Sequence, residues 1–84
     1  MLSEQDRNKM YWHSRRGMLE LDLILLPFVT DHLAGLDQEA QDLYRELLRE
    51  EDQDLFNWLV HGVAPPRESL QRIVSVILAS RGRN

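Results

Sequence analysis

The stretch MLELDLILLPFVTDHL, residues 18–33, decides the fold. Leu21, Ile24, Leu25 and Phe28 recur at i, i+3, i+4 and i+7, the period of one helical face. Leu23, Leu26 and Val29 widen that stripe until most of the circumference is apolar. A helix of this kind belongs at the centre of a bundle, because no single neighbour can cover it. Pro27 lacks an amide donor and is expected to kink the helix or split it after Leu26. Gly35 is a plausible C-terminal stop.

Working outward, the same reading gives four more helices. Ser3 can cap a first helix that runs to about Ser14 and presents Met10, Tyr11 and Trp12. Asp37 caps a third, to about Glu50, with Ala40, Leu43, Leu47 and Leu48 facing inward. Glu39 and Asp42 fall where the helix dipole favours acid. A short fourth helix spans Gln53 to Val60, with Leu55, Phe56, Leu59 and Val60 as its packing set, and Gly62 ends it. Pro65-Pro66 is expected to open the last helix. There Leu70, Ile73, Val74, Ile77 and Leu78 form the cleanest amphipathic pattern in the chain. Strand signals, repeats and linkers are missing. The expectation is an all-α, single compact five-helix bundle, one domain over residues 1–84, with residues 81–84 a frayed tail.

Composition narrows the function. A chain of 84 residues buries only roughly 60–65% of its unfolded surface, which leaves little volume for a deep enclosed active site. Cysteine is absent, so disulfides and thiolate metal sites are excluded. The longest apolar run, Leu23 to Val29, has seven residues, far short of the ~20 that a spanning helix needs. The first residues carry acid early, unlike a secretory signal or a transit peptide. The expected location is the bacterial cytoplasm, without membrane insertion.

Net charge is −4, distributed as −1 over residues 1–36, −6 over 37–54 and +3 over 55–84. An acidic total disfavours sequence-independent phosphate binding. Nine of the ten basic residues are Arg, a side chain suited to bidentate contacts with carboxylates, backbone carbonyls and phosphates, which fits a protein surface as well as nucleic acid.

No catalytic constellation emerges. His13, His32 and His61 lack the i, i+4 spacing of a helical ligand pair. The serines lack a glycine-flanked elbow. Gly17, Gly35, Gly62 and Gly82 are isolated, so no phosphate cradle forms. The carboxylates of residues 37–54 read as a solvated face. Two places remain. In Arg15-Arg16-Gly17-Met18-Leu19-Glu20, two arginines precede the positive dipole end of a helix, a placement that breaks a local rule. A purely structural reading makes Gly17 the N-cap and lets Glu20 bond back to its amide. A binding reading uses Gly17 to admit a partner backbone closely. In Asp54-Leu55-Phe56-Asn57-Trp58-Leu59, Trp58 lies on a different side from Phe56. It either covers the bundle edge or faces an interface, and the structural role is favoured.

These two stretches carry a resemblance. Arg16-Gly17-x-x-Glu20 matches the RGxxE signature of the FAD assembly factor family, called SdhE in bacteria and succinate dehydrogenase assembly factors in mitochondria. Trp12, Arg15, Met18, Glu20-Leu21-Asp22 and Pro27-Phe28 fit the bacterial pattern, and residues 54–59 resemble the family's second characteristic stretch. The likeness spans about residues 5–80.

It implies a five-helix chaperone-like protein, not an enzyme. Such a factor binds the flavoprotein subunit of succinate dehydrogenase or fumarate reductase and promotes covalent attachment of its FAD. Arg16, Gly17 and Glu20 would lie in the partner-facing surface, with Arg15 and Lys9 as flanking contacts. Tyr11 and Ser14 are assigned no role. No metal and no tightly held FAD of the chain's own are expected, and a free monomer is the default. The competing reading is a small helical nucleic-acid-binding or antitoxin-like regulator, supported by Arg15-Arg16, Arg67, Arg72, Arg81 and Arg83. A third is an enzyme acting directly on flavin.

Overall fold

Ser3 opens the first helix with a reciprocal pair of bonds: its hydroxyl accepts from the Asp6 amide at 3.1 Å, and the Asp6 carboxylate accepts from the Ser3 amide at 3.3 Å. That capping box satisfies two amides that a helix start leaves free. The hydrogen bond from Ser3 and the charges of Lys9 and Arg45 hold the Asp6 carboxyl below its ordinary range. The computed structural model describes residues 3–81. Its helices are α1 (Glu4–Ser14), α2 (Leu19–Asp31), α3 (Gln38–Leu47), α4 (Asp52–Leu59) and α5 (Glu68–Arg81), with a 3₁₀ turn at Leu33–Gly35 after α2. The described residues contain no strand. Residues 82–84 of the expected tail lie outside them, while Arg81 is the last residue of α5.

Helix α2 is central, as its wide apolar stripe requires. It packs against α1, α4 and α5, and α3 closes on α5. Leu21, Ile24, Leu25, Phe28 and Val29 are buried, while Leu23 stays exposed. The helix is continuous through Pro27 and does not split. Pro27 lies on the solvent side, so the Leu23 carbonyl that it leaves without a donor can be hydrated. Each fully buried Leu or Ile contributes about 1.5–3 kcal/mol by leaving water. The five buried side chains of α2 and its contacts with three other helices make it the chief organiser of the core.

The third helix departs from expectation in what it buries. Asp37 caps it, accepting from the Ala40 amide at 2.9 Å. Its innermost side chains, however, are Gln41, Tyr44 and Leu47, and Ala40, Leu43 and Leu48 are only half-buried. Tyr44 packs against Phe28, ring centroids 5.3 Å apart. Gln41 donates to the carbonyls of Leu33 and Leu36 at 3.3 and 3.0 Å, tying α3 to the 3₁₀ turn. Both are amphipathic side chains that enter a core only with their polar ends satisfied. No buried side-chain polar atom lacks a partner among the described residues.

Trp58 takes the favoured structural role, buried in the core with Leu55 and Leu59. Three further expectations are corrected. Val60, expected in the packing set of α4, is 41% exposed at the helix end. Pro65 and Pro66 precede α5 instead of forming its first turn; Pro65 is buried and its carbonyl accepts from Gln71 at 2.8 Å. Leu78 lies at the edge of the buried stripe of α5, 36% exposed.

Candidate functional site at the first inter-helix joint

Residues 15–18 join α1 to α2. The N-cap of α2 is Met18, not Gly17, and it offers no side-chain cap. Gly17 stands one residue earlier at φ +80°, a conformation that costs an L-residue about 1–2 kcal/mol. This displaces the expected bond from Glu20 back to Gly17. The Arg16 amide is instead satisfied by Asp22, whose carboxylate accepts it at 2.8 Å.

Arg16 resolves the dipole conflict that the sequence poses. Its backbone lies near the positive end of α2, but its side chain reaches away to the negative ends of two other helices. One terminal nitrogen donates to the His13 carbonyl in the last turn of α1 at 3.2 Å, and to the Leu48 carbonyl at the C-cap of α3 at 3.1 Å. The other donates to the Glu50 carbonyl at 2.6 Å, and Nε donates to Asp52, the first residue of α4, at 2.8 Å. The planar fork thus fills carbonyls that helix ends leave unpaired. The side chain is only 14% exposed.

A second tie lies beside it. Ser14 donates its hydroxyl to the Met10 carbonyl at 2.6 Å and shares a 2.6 Å hydrogen bond with Tyr44. Since the Ser14 hydrogen is committed to Met10, the Tyr44 phenol is the donor between them. Burial raises the phenol above its ordinary value, partly offset by the Ser14 hydroxyl and then by the Arg16 charge. The end of α1 is thereby fixed to α3 twice, through Ser14 and through Arg16.

The joint's other residues face outward. Gly17, Arg15, Glu20 and Lys9 are exposed. Nothing lies within 4 Å of the position a Gly17 Cβ would take. Glu20, Arg15 and Lys9 make no side-chain hydrogen bond or ion pair among the described residues. Around them stand large apolar groups in solvent: Trp12 is 62% exposed, Leu19 69% and Leu23 61%. Leu19 and Leu23 are four apart and share a face of α2. Of the five predicted site residues, the structure therefore sets Gly17, Glu20, Arg15 and Lys9 on the surface and turns the Arg16 side chain inward. The exposed apolar trio was not read in advance: Leu23 was expected to widen the buried stripe of α2 and is instead exposed, and Leu19 was given no place in that stripe.

The cations that favoured a nucleic-acid reading are differently placed. Arg67 pairs with Glu46 and Glu50, and Arg72 with Glu39. Arg83 lies outside the described residues. No helix among the described residues is long and apolar enough to cross a membrane.

Comparison with known proteins places this arrangement. Residues 8–81 match the Sdh5 family, described as flavinator of succinate dehydrogenase. The chain is 49% identical over 78 residues to the FAD assembly factor SdhE of Pseudomonas aeruginosa, with 93% of each chain covered. It is 47% identical to the protein of that name from Pseudomonas syringae pv. syringae over the same share of both chains. The likeness to that of Francisella tularensis is 41% over 70 residues, covering 83% of this chain and 74% of the relative. The chain belongs to the succinate dehydrogenase flavinator family of FAD assembly factors.

Proposed function

We propose that this protein binds the flavoprotein subunit of succinate dehydrogenase and promotes covalent attachment of its FAD, serving a fumarate reductase flavoprotein in the same way. The observation that carries the reading is the first joint: Gly17 and Glu20 stand exposed and without partners on a turn that Arg16 anchors to three other helices. Membership of the succinate dehydrogenase flavinator family over residues 8–81 supports this choice of partner.

The two halves of the RGxxE signature divide the work. Arg16 holds the turn in place from within. Gly17 lets a partner backbone approach closely, and Glu20, with Arg15 and Lys9 beside it, contributes directional polar contacts. Trp12 is of a residue type enriched among binding hot spots, and Leu19 and Leu23 add exposed apolar area. The bond-making groups belong to the flavoprotein, and this chain acts by binding better to the arrangement in which flavin and target side chain meet. A partner that is bound preferentially in its reactive geometry reacts faster without any added acid or base. The factor works in the cytoplasm as a monomer when free, and holds no tight FAD of its own. Against the nucleic-acid reading, Arg67 and Arg72 are paired with carboxylates and the chain is acidic overall.

The test is covalent flavin in the partner subunit, read by in-gel fluorescence from cells carrying wild type or Glu20→Ala. Loss of most of the signal, with the variant's helical circular dichroism intact, is the expected outcome. Full flavinylation with the folded variant defeats the site assignment.

A further inference from the structure

A groove of about 490 Å³ opens beside the first joint, between α1 and the end of α3. Five basic side chains line it: Lys9 and His13 from α1, Arg16 from the joint, and Arg45 and Arg49 at the end of α3, alongside Met10 and Leu48. Lys9, His13, Arg45 and Arg49 are all exposed, whereas Met10 is buried and Leu48 half-buried. In a chain of net charge −4, whose residues 37–54 sum to −6, this face reverses the overall sign. Among the lining residues the one carboxylate is Asp6, already engaged by the Ser3 amide. Arg45 also touches Asp42 at 3.2 Å, with both side chains well exposed, a contact of the exchangeable surface kind. Lys9 and Arg49 have no ion pair among the described residues.

We infer that this groove binds an acidic polypeptide segment, supplied by the flavoprotein subunit if the reading above holds. Spacing separates a peptide from a point anion. Lys9 and His13 are four apart on α1, roughly 6 Å along the groove, while Arg45 in α3 and Arg49 just past its C-cap continue the basic lining on the other side. Alternate side chains of an extended strand repeat at about 6.6 Å, so carboxylates at every second residue meet one cation after another. A phosphate would instead need donors converging on a point, and the groove has no glycine-rich turn among its lining residues. Met10 and Leu48 give an apolar floor on which side-chain methylenes rest. Arg16 also lines the groove, and by occupying the Leu48 and Glu50 carbonyls it masks the negative end of α3, which would otherwise repel an acidic chain.

The experiment uses the isotopically labelled full chain, titrated with deca-glutamate and separately with pyrophosphate, alongside the purified flavoprotein subunit. Deca-glutamate is expected to shift the amides of Lys9, His13, Arg45 and Arg49, and to lose about tenfold in affinity between about 50 and about 300 mM salt. Pyrophosphate is expected to bind more weakly. Arg45→Glu/Arg49→Glu should abolish the shifts and weaken flavoprotein binding about tenfold with residues 16–20 unchanged. Arg49→Glu alone, which breaks no ion pair among the described residues, serves should the double variant misfold. Unperturbed groove amides overturn the inference, as does pyrophosphate binding as tightly as the peptide, or unchanged flavoprotein affinity in a folded variant. A wild-type chain that ignores the flavoprotein but binds the peptide refutes the proposed partner and retains the groove.

Discussion

Two joints of this bundle turn on a glycine at positive φ, Gly17 at +80° and Gly62 at +75°. At both, the space a Cβ would fill is empty. Their surroundings differ. The first joint is tied down by four side-chain bonds from Arg16, by the Asp22 carboxylate on the Arg16 amide, and by the buried Ser14–Tyr44 pair beside it. The joint after α4 is held by backbone bonds from His61 and Val63 and by Gln71 on the Pro65 carbonyl. A turn that only reverses the chain needs no more than the second set. The extra ties at the first hold exposed groups in a fixed geometry, which lowers the entropy cost when a partner docks.

The comparison is most easily broken at Arg16. Arg16→Ala leaves Asp52 and three backbone carbonyls without their donor, and should destabilise the fold by about 2–4 kcal/mol. For a domain of this size that lowers Tm on the order of 10–20 °C, measurable by thermal circular dichroism. A loss as small as that of an exposed ion pair would show that the first joint is not specially reinforced.

The glycines give a matched control. Gly17→Ala and Gly62→Ala should each cost about 1–2 kcal/mol, since both incur the left-handed penalty and neither adds a clash. Chemical denaturation midpoints that differ widely between the two would mean that one joint stores strain the other lacks.

Tyr44→Phe removes a single buried hydrogen bond and should cost about 1 kcal/mol at neutral pH. It also changes the alkaline limb of the stability curve. The folded chain holds the Tyr44 proton more tightly than the unfolded chain, so above about pH 10 the unfolded state releases it first and stability falls by about 1.4 kcal/mol per pH unit. That contribution is fully present below pH ~10 and is lost as pH rises toward the folded-state value. The difference in unfolding free energy between wild type and Tyr44→Phe, followed from pH 8 to about 11, should therefore shrink above pH ~10. Gln71→Ala, at the less reinforced joint, should cost only about 0.5–1 kcal/mol.

How far residues announced these features depended on whether the relevant partner was near in sequence. Ser3 and Asp37 were readable as caps because an N-cap bonds within three residues of itself, and the stripe of α2 because its period is internal to the helix. Arg16 was readable as an anomaly and no more: its acceptors at Leu48, Glu50 and Asp52 lie 32 to 36 residues away, and two of the three are backbone carbonyls, which any residue supplies. Tyr44 and Gln41 were passed over for a related reason. A polar-tipped side chain joins a core only when the fold brings an acceptor to its tip, and those acceptors, Ser14 and the carbonyls of Leu33 and Leu36, come from other elements. The start of α2 was displaced by one residue because Gly17 serves a left-handed turn instead of a cap. Pro65-Pro66 was placed inside α5 because proline suits a first helical turn as well as the connector before it.

The central claim is that the first joint is a gripping surface and the second is a turn. The most direct measurement pairs Gly17→Arg with Gly62→Arg and reads covalent flavin on the partner subunit beside each variant's Tm. Both substitutions place a long side chain in open space at nearly the same φ, so their structural costs should match. The account predicts that Gly17→Arg removes at least about nine-tenths of the covalent flavin, the loss expected when an interface contact is blocked by more than about 1.4 kcal/mol, while Gly62→Arg keeps wild-type levels. Equal loss in both, or full flavinylation with a folded Gly17→Arg protein, would contradict it.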